Sequence, residues 1–233
     1  MLLILLPRSG YEAVATVSSQ STKLTADASV PRIIDKGSNN ILVIDKHAVI
    51  DETVKIEFNG SNNRVSIGRK THIRAPNVIS FVGDGHSVHI GEGCNLRGSI
   101  HMRQRRSTIS IGDGTTAVAA HFFAMEGRSI KIGTDCMFSS GIYVRTSDEH
   151  SIYDGETGQR INRARDVTID NHVWIGEGAT IGKGVVIPHG CIVAARSVVT
   201  KSLIVENAIY AGSPPRMVRA GITWDRRLRE EDM

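Results

Sequence analysis

The chain has 233 residues, with 28 Lys and Arg against 24 Asp and Glu and a formal net charge of +4. That length allows one elongated domain or two small ones, and so mild a positive excess favours anionic ligands without demanding nucleic acid. Aromatics are only 5% of residues and no basic stretch is interleaved with them, which argues against a nucleic-acid binder.

In chain order, the start MLLILLPRSG is apolar, with five residues between Met1 and Pro7. It lacks a basic lead and is too short for a signal core or a membrane span, so neither is expected. Residues 1–36 show no regular period and are predicted to form an irregular or extended lead-in. From Gly37 a looser repetition sets in: GSNNILVID, GSNNRVSIG, DGHSVHIG, RRSTISIG and GRSIKIG. Each phrase places alternating apolar residues after a turn rich in Gly, Ser or Asn. Pairs six apart are embedded in it, such as Ile67 and Ile73, Ile90 and Leu96, and the stricter run Ile132, Phe138 and Val144.

From Ile169 an aliphatic residue returns at every sixth position: Ile169, Ile175, Ile181, Ile187, Val193 and Val199. Four residues after each stands Val173, Ala179, Val185, Cys191, Ser197 or Leu203. Helices repeat near 3.6 and strands near 2, so neither explains the period. It fits a chain that turns a corner after every short strand, the hexapeptide pattern of a parallel β-helix. The prediction is an all-β parallel solenoid over 37–210, with three hexads to a coil and caps at its ends. After Val144 the period breaks, and residues 151–166 read as a polar loop expelled from the coil. Loops that long in a regular fold are usually functional. In 211–233, Pro214 and Pro215 predict a short helix opening at Arg216, followed by a charged tail from about Trp224. Cys94, Cys136 and Cys191 each fall four residues after a hexad-leading Ile, so they read as buried packing thiols. That usage points to the reducing cytoplasm.

Two segments carry a family resemblance. HVWIGEGATIGKGVVIPHGCIVAARSVVTK, followed by IYAGSPPRMVR, resembles the C-terminal half of the hexapeptide-repeat acyltransferases. CMFSSGIYVRTSDEHSIYD resembles the subgroup that O-acetylates bacterial surface polysaccharides, the polysialic acid O-acetyltransferases among them. The resemblance implies a left-handed parallel β-helix and transfer of acetyl from acetyl-coenzyme A to a sugar hydroxyl of a capsular or other surface polysaccharide. With it goes a cytoplasmic homotrimer with sites at subunit interfaces. The exit departs from the family's usual AGNPAR, since Ser213 and Pro215 replace Asn and Ala.

Acetyl transfer to a hydroxyl needs a base, and imidazole suits it because it titrates near neutrality. Continuing the period from Val144 puts His150 at the next hexad-leading position, within the TSDEH segment that the resemblance marks as catalytic. Asp148 is the candidate for fixing the imidazole's tautomer, with turn capping as the alternative. Trp174 follows an inward Val173 and is expected to point outward; the resemblance puts the tryptophan of this segment in the active site. It also makes Gly178 and Ala195 candidates for backbone contacts to the pantetheine arm, and Lys201 and Arg216 candidates for the phosphate and adenine end. Arg145, Arg160 and Arg163 are candidates for holding an anionic glycan through carboxylate–guanidinium forks, the alternative being solubility and trimer contacts. No cysteine is placed as a nucleophile, so transfer is expected to be direct.

Three other readings stand beside this one. A zinc enzyme on the same fold needs three converging histidines, yet no two of the nine histidines have H-x4-H spacing, and no metal is expected. A non-catalytic scaffold is the second. The third keeps the enzyme class but moves the acceptor to a small sugar, a nucleotide-sugar or a drug.

Overall fold

The computed structural model describes residues 2–8, 11–17 and 31–228. These residues wind into a parallel β-solenoid of about 8 turns, with no helix among them. Each coil contributes a strand to three faces. The first face runs from Ile41–Ile44 through Arg64–Ile67, Ser87–Ile90, Thr108–Ile111, Ser129–Ile132 and Val167–Ile169 to Val186–Ile187. The second is made of two-residue pairings, including Met137–Phe138, Trp174–Ile175 and Ile192–Val193. The third stacks Lys55–Asn59 and later Ile142–Arg145, Thr180–Ile181 and Val198–Val199. Between them, His72–Asp84, Asn95–Arg105 and Thr116–Met125 each round the corner from the second face to the third as one bent strand.

The hexad signal becomes a core because every coil points the same positions inward. Ile44, Ile67, Ile90, Ile111, Ile132, Ile169 and Ile187 form one in-register column on the first face. All are buried, and each contributes about 1.5–3 kcal/mol relative to an exposed side chain. Phe138, Ile175 and Val193 form the matching column on the second face, and Val144, Ile181 and Val199 on the third. The coils shorten along the chain. Asn40 meets Asn63, 23 residues on, and Thr115 meets Cys136, 21 residues on. By the last turns Thr168 pairs with Val186, three hexads away. This is why the period is strict only after Ile169.

Buried corners are satisfied by polar ladders, as buried backbone groups must be. Asn63 N–H donates to Asn40 Oδ1, His86 N–H to Asn63 Oδ1, and Ser107 N–H to His86 Nδ1. The glycine of GSNN is required at the same corner. A Cβ on Gly37 would lie 1.8 Å from Gly60 O, and one on Gly60 would lie 2.0 Å from Gly83 O. At another corner Thr71 and Thr115 hydroxyls alternate with Cys94 and Cys136 thiols, each donating to a carbonyl of the next coil. All three cysteines are free and buried, as expected.

Three expectations need correction. No C-terminal helix forms among the described residues: Ala208–Gly212 and Pro215–Ala220 form an antiparallel β-hairpin across Pro214. The two prolines turn the chain back on itself instead of opening a helix. The N-terminal region is not wholly irregular either. Leu2–Arg8 and Tyr11–Val17 pair antiparallel, and the first of them adds in parallel to Ile41–Ile44, covering the open edge of the first face. Residues 18–30 and 229–233 lie outside the described residues. Third, His150 does not fill an aliphatic slot. Ile169 stacks on Ile132 in the next inward position, and His150 lies exposed outside the coil.

Candidate active site

The expelled loop leaves at the corner between the third and first faces, and its neck is closed by the Arg165 N–H bond to Thr146 O at 2.9 Å. Glu126, at the preceding corner, receives both arms of the Arg160 guanidinium at 2.5 and 2.9 Å and the Ser147 hydroxyl at 2.5 Å. The Arg160 hydrogen bonds hold the Glu126 carboxyl down at about 2. Arg160 is therefore engaged as the loop's tie, which removes it from the free cations proposed for a glycan.

Asn162, buried at the loop's centre, organises what remains. Its amide donates to His150 O at 2.7 Å and to Asp148 Oδ2 at 2.9 Å, while its carbonyl accepts from Ile152 N–H at 2.7 Å. Lys183 reaches from the same corner of the next coil to bond the Asp148 carboxylate and Asn162 O. Burial would raise the Asp148 carboxyl, but the bonds from Lys183 and Asn162 outweigh it and keep it below its ordinary value. Asp148 thus holds the loop instead of the imidazole. No described residue hydrogen-bonds the His150 ring; its backbone alone is fixed, by Asn162 and by its own N–H to Asp148 O at 2.8 Å. The result is an exposed imidazole on a braced backbone.

Trp174 projects outward from the second face, half-buried, as its place after Val173 predicts. Its ring centre lies 6.0 Å from that of Trp224. Trp224 belongs to the segment read from sequence as tail, yet it is only 8% exposed. Because the solenoid is three-sided, Trp174 and the corner that carries His150 belong to different sides of one chain.

Gly178 and Ala195 come together at the corner between the second and third faces. Gly178 adopts φ +68°, and a Cβ on nearby Gly176 would sit 2.6 Å from Ala195 N. The Gly178 N–H is taken by Ser140 O at 2.8 Å, whereas the exposed Ala195 N–H meets no described acceptor. Arg216 is exposed opposite Ala211, toward the end of the same edge. Lys201 follows Val198–Val199 and lies at the third-to-first corner, away from these three. Arg163 is exposed and unpaired among the described residues.

One feature of the surface is absent from the sequence reading. On the outer third face the rings of His101 and Phe123 stack at 5.0 Å, and those of His121 and Tyr143 also at 5.0 Å. The Arg145 guanidinium lies 5.1 Å from the Phe123 ring centre and 5.6 Å from that of Tyr143. Glu149 joins this stripe to the loop, accepting from Arg103 at 3.0 Å and lying 3.6 Å from Arg145. Burial first, and then the neighbouring Arg103 charge, push the His101 imidazole below its usual value. Each stacked pair lies 22 residues apart in sequence, which is one coil and not a multiple of six, so the six-residue period does not announce them.

Among the described residues no group of three or more His, Cys, Asp or Glu is placed to hold a metal, and no helix is long and apolar enough to cross a membrane.

A solenoid of parallel coils with one loop expelled at a corner defines the class of hexapeptide-repeat β-helix proteins. No family model matches the chain. It is 35% identical over 140 residues to a polysialic acid O-acetyltransferase of Neisseria meningitidis, covering 60% of this chain and 62% of that protein. It is also 35% identical over 136 residues to a polysialic acid O-acetyltransferase of Escherichia coli O1:K1 / APEC, covering 58% of this chain and 44% of the relative. The alignments thus span less than two thirds of either curated relative. The crystal structure of the polySia-specific acetyltransferase NeuO superposes with a TM-score of 0.79 at 31% identity, covering 85% of this chain and 90% of that one. The chain belongs to the polysialic acid O-acetyltransferase family.

Proposed function

We propose that this protein transfers acetyl from acetyl-coenzyme A to a hydroxyl of a surface polysaccharide, a sialic-acid polymer being the acceptor its relatives suggest. The observation that carries the reading is the His150 imidazole, exposed and unpartnered on a backbone braced by Asn162. One ring nitrogen accepts the acceptor's hydroxyl proton as the oxygen attacks the thioester carbonyl. The tetrahedral intermediate then collapses with cleavage of the C–S bond. The imidazolium returns the proton to the departing thiolate, leaving an acetyl ester and free coenzyme A. Cys136, a fully buried thiol, is raised to about 11 by burial, which favours direct transfer over an acyl-cysteine.

The site is completed between protomers of a homotrimer. His150 and Trp174 lie on different sides of one solenoid, so a centre containing both takes one residue from each of two chains. The pantetheine arm runs along the edge of Ala195, whose free N–H is a donor for its amides, with Arg216 toward the phosphates. The acceptor lies on the aromatic stripe, sugar faces against Phe123 and Tyr143 and carboxylates near Arg145 and Arg163. The protein acts in the cytoplasm.

The test is thiol release from acetyl-coenzyme A over a panel of polysaccharides, with small sugars and nucleotide-sugars in parallel. Release that depends on an anionic glycan supports the proposal. Release with small acceptors only would transfer it to the small-molecule reading, and none with any acceptor would favour a scaffold.

A further inference from the structure

Beyond the third face, the molecule holds a second assembly of titratable and aromatic groups, where the chain after the C-terminal hairpin folds back over the first-to-second corner. Trp224 stacks on His172 with ring centres 4.0 Å apart and planes 8° from parallel. Its Nε1–H donates to His172 O at 3.0 Å. Two residues on, Arg226 donates to Asp135 Oδ1 at 2.8 Å, Thr116 Oγ1 at 2.6 Å, Gly114 O at 3.3 Å and Cys136 O at 2.8 Å. The segment is a strap bound across coils 52 to 112 residues away in sequence.

The centre of the strap's contact is His172, and both of its ring nitrogens face acceptors. Nδ1 lies 2.7 Å from Asp135 Oδ2, and Nε2 lies 3.1 Å from Trp224 O. A carbonyl has no proton to give, and Asp135 is a carboxylate. Burial alone would raise its carboxyl, but hydrogen bonds from His172 and Arg226 outweigh that and hold it low. A neutral imidazole has a single N–H and leaves one of these contacts as lone pair against lone pair. The imidazolium satisfies both.

We infer that protonated His172 latches the strap and that the latched Trp224 is a positioning residue for Trp174. The Trp174 ring is flanked by Trp224 at 6.0 Å, with the ring planes 50° apart. Removing Trp224 opens that side of Trp174 to water. The role in catalysis rests on the reading of Trp174 as part of the reaction centre; the latch itself does not.

The charged and titratable groups around His172 act in both directions. Asp135 from the coil below favours the cation, and Asp225 lies beside Trp224, accepting the Arg227 N–H at 3.0 Å. Arg226, already paired with Asp135, and the His189 ring, 6.2 Å away on the coil above, oppose it. The bonds of Arg226 do not involve the imidazole, so loss of the His172 proton loosens the strap at Trp224 while its far end stays tied.

The chain has only two tryptophans, which makes the latch readable by fluorescence. In Trp174→Phe protein, acrylamide quenching of Trp224 is expected to rise about twofold or more from pH 5 to pH 8, the range in which histidines change charge. In the same background His172→Gln is expected to abolish that dependence. Quenching that is flat with pH, or a pH dependence that persists without His172, overturns the latch. For the positioning role, Trp224→Ala is expected to lower kcat/KM about fivefold or more, and to redden Trp174 emission. Trp224→Phe, which keeps the ring, restores most of both. Unchanged kinetics and emission in Trp224→Ala overturn it. Full activity in Trp174→Ala would instead overturn the proposed reaction centre, and the quenching result would stand apart from it.

Discussion

Arg160 closes on Glu126 at 2.5 Å, and through that pair the far limb of the expelled loop is tied to the corner that precedes it. The tie reaches 34 residues along the sequence and sits beside the Ser147 hydroxyl at the loop's near limb. Both limbs therefore converge on one carboxylate.

Glu126→Gln is expected to loosen the loop without unfolding the solenoid, whose core the loop does not share. Proteolysis between Tyr153 and Gln159 should quicken, and activity should fall with it. Acid should do the same reversibly. The folded carboxyl ionises at about 2 against an ordinary 4.5, so the tie is complete above 4.5 and is lost as pH falls from there toward 2. Loop-amide exchange protection, measured down that range in wild type and variant, checks it.

His86 is buried within the corner ladder, where its Nδ1 accepts the Ser107 N–H at 3.1 Å and its Nε2 meets no hydrogen-bond partner. Accepting at Nδ1 requires the neutral ring. Burial lowers this imidazole from 6.5, so the unfolded chain takes up the proton first. Stability from this site is present above 6.5 and declines as pH falls below it. His86→Asn extends the Asn40–Asn63 ladder by a residue that does not titrate. Urea midpoints between pH 5 and 7 should be flatter in the variant than in wild type.

The corner thiols should be silent in the folded protein. Cys136, held at about 11 by burial, is expected to resist alkylation at pH 8 until the chain is unfolded. Cys136→Thr restores the donor that Thr115 supplies one coil below and should cost less than about 1.5 kcal/mol. Cys136→Val leaves Asp170 O without its thiol donor and should cost about 1–3 kcal/mol. Denaturant titration of the pair separates the two.

Arg145→Ala removes the guanidinium that lies over both Phe123 and Tyr143. The expected result is an acceptor KM raised about tenfold, the loss of one charge-assisted contact, with the KM for acetyl-coenzyme A unchanged. Steady-state kinetics with each substrate varied in turn checks both halves.

Much of the scaffold is legible in the residues, because inward columns repeat whatever lies between them. Ile169 to Val199 can be read directly, and even the looser phrases GSNNILVID and GSNNRVSIG stack in register. What the period does not carry is contact between distant segments. Nothing local in GITWDRR marks Trp224 as the partner of His172, and the Pro214–Pro215 pair suits a helix start as well as a hairpin. At the loop, the sequence puts His150 and Asp148 two residues apart, which suggests a bonded pair. The structure gives Asp148 to Lys183 and Asn162, because their donors reach it from the coil and from the loop's return limb.

The most direct measurement mixes two disabled protomers. His150→Ala and Trp174→Ala chains, differently tagged, are each expected to lose roughly 100-fold or more of acetyl transfer as homo-oligomers. In a mixed ring, one interface pairs the intact His150 of one chain with the intact Trp174 of its neighbour. Purified mixed trimers should therefore recover about a third of wild-type activity. Mixed oligomers no more active than their parents would contradict a reaction centre shared between two chains.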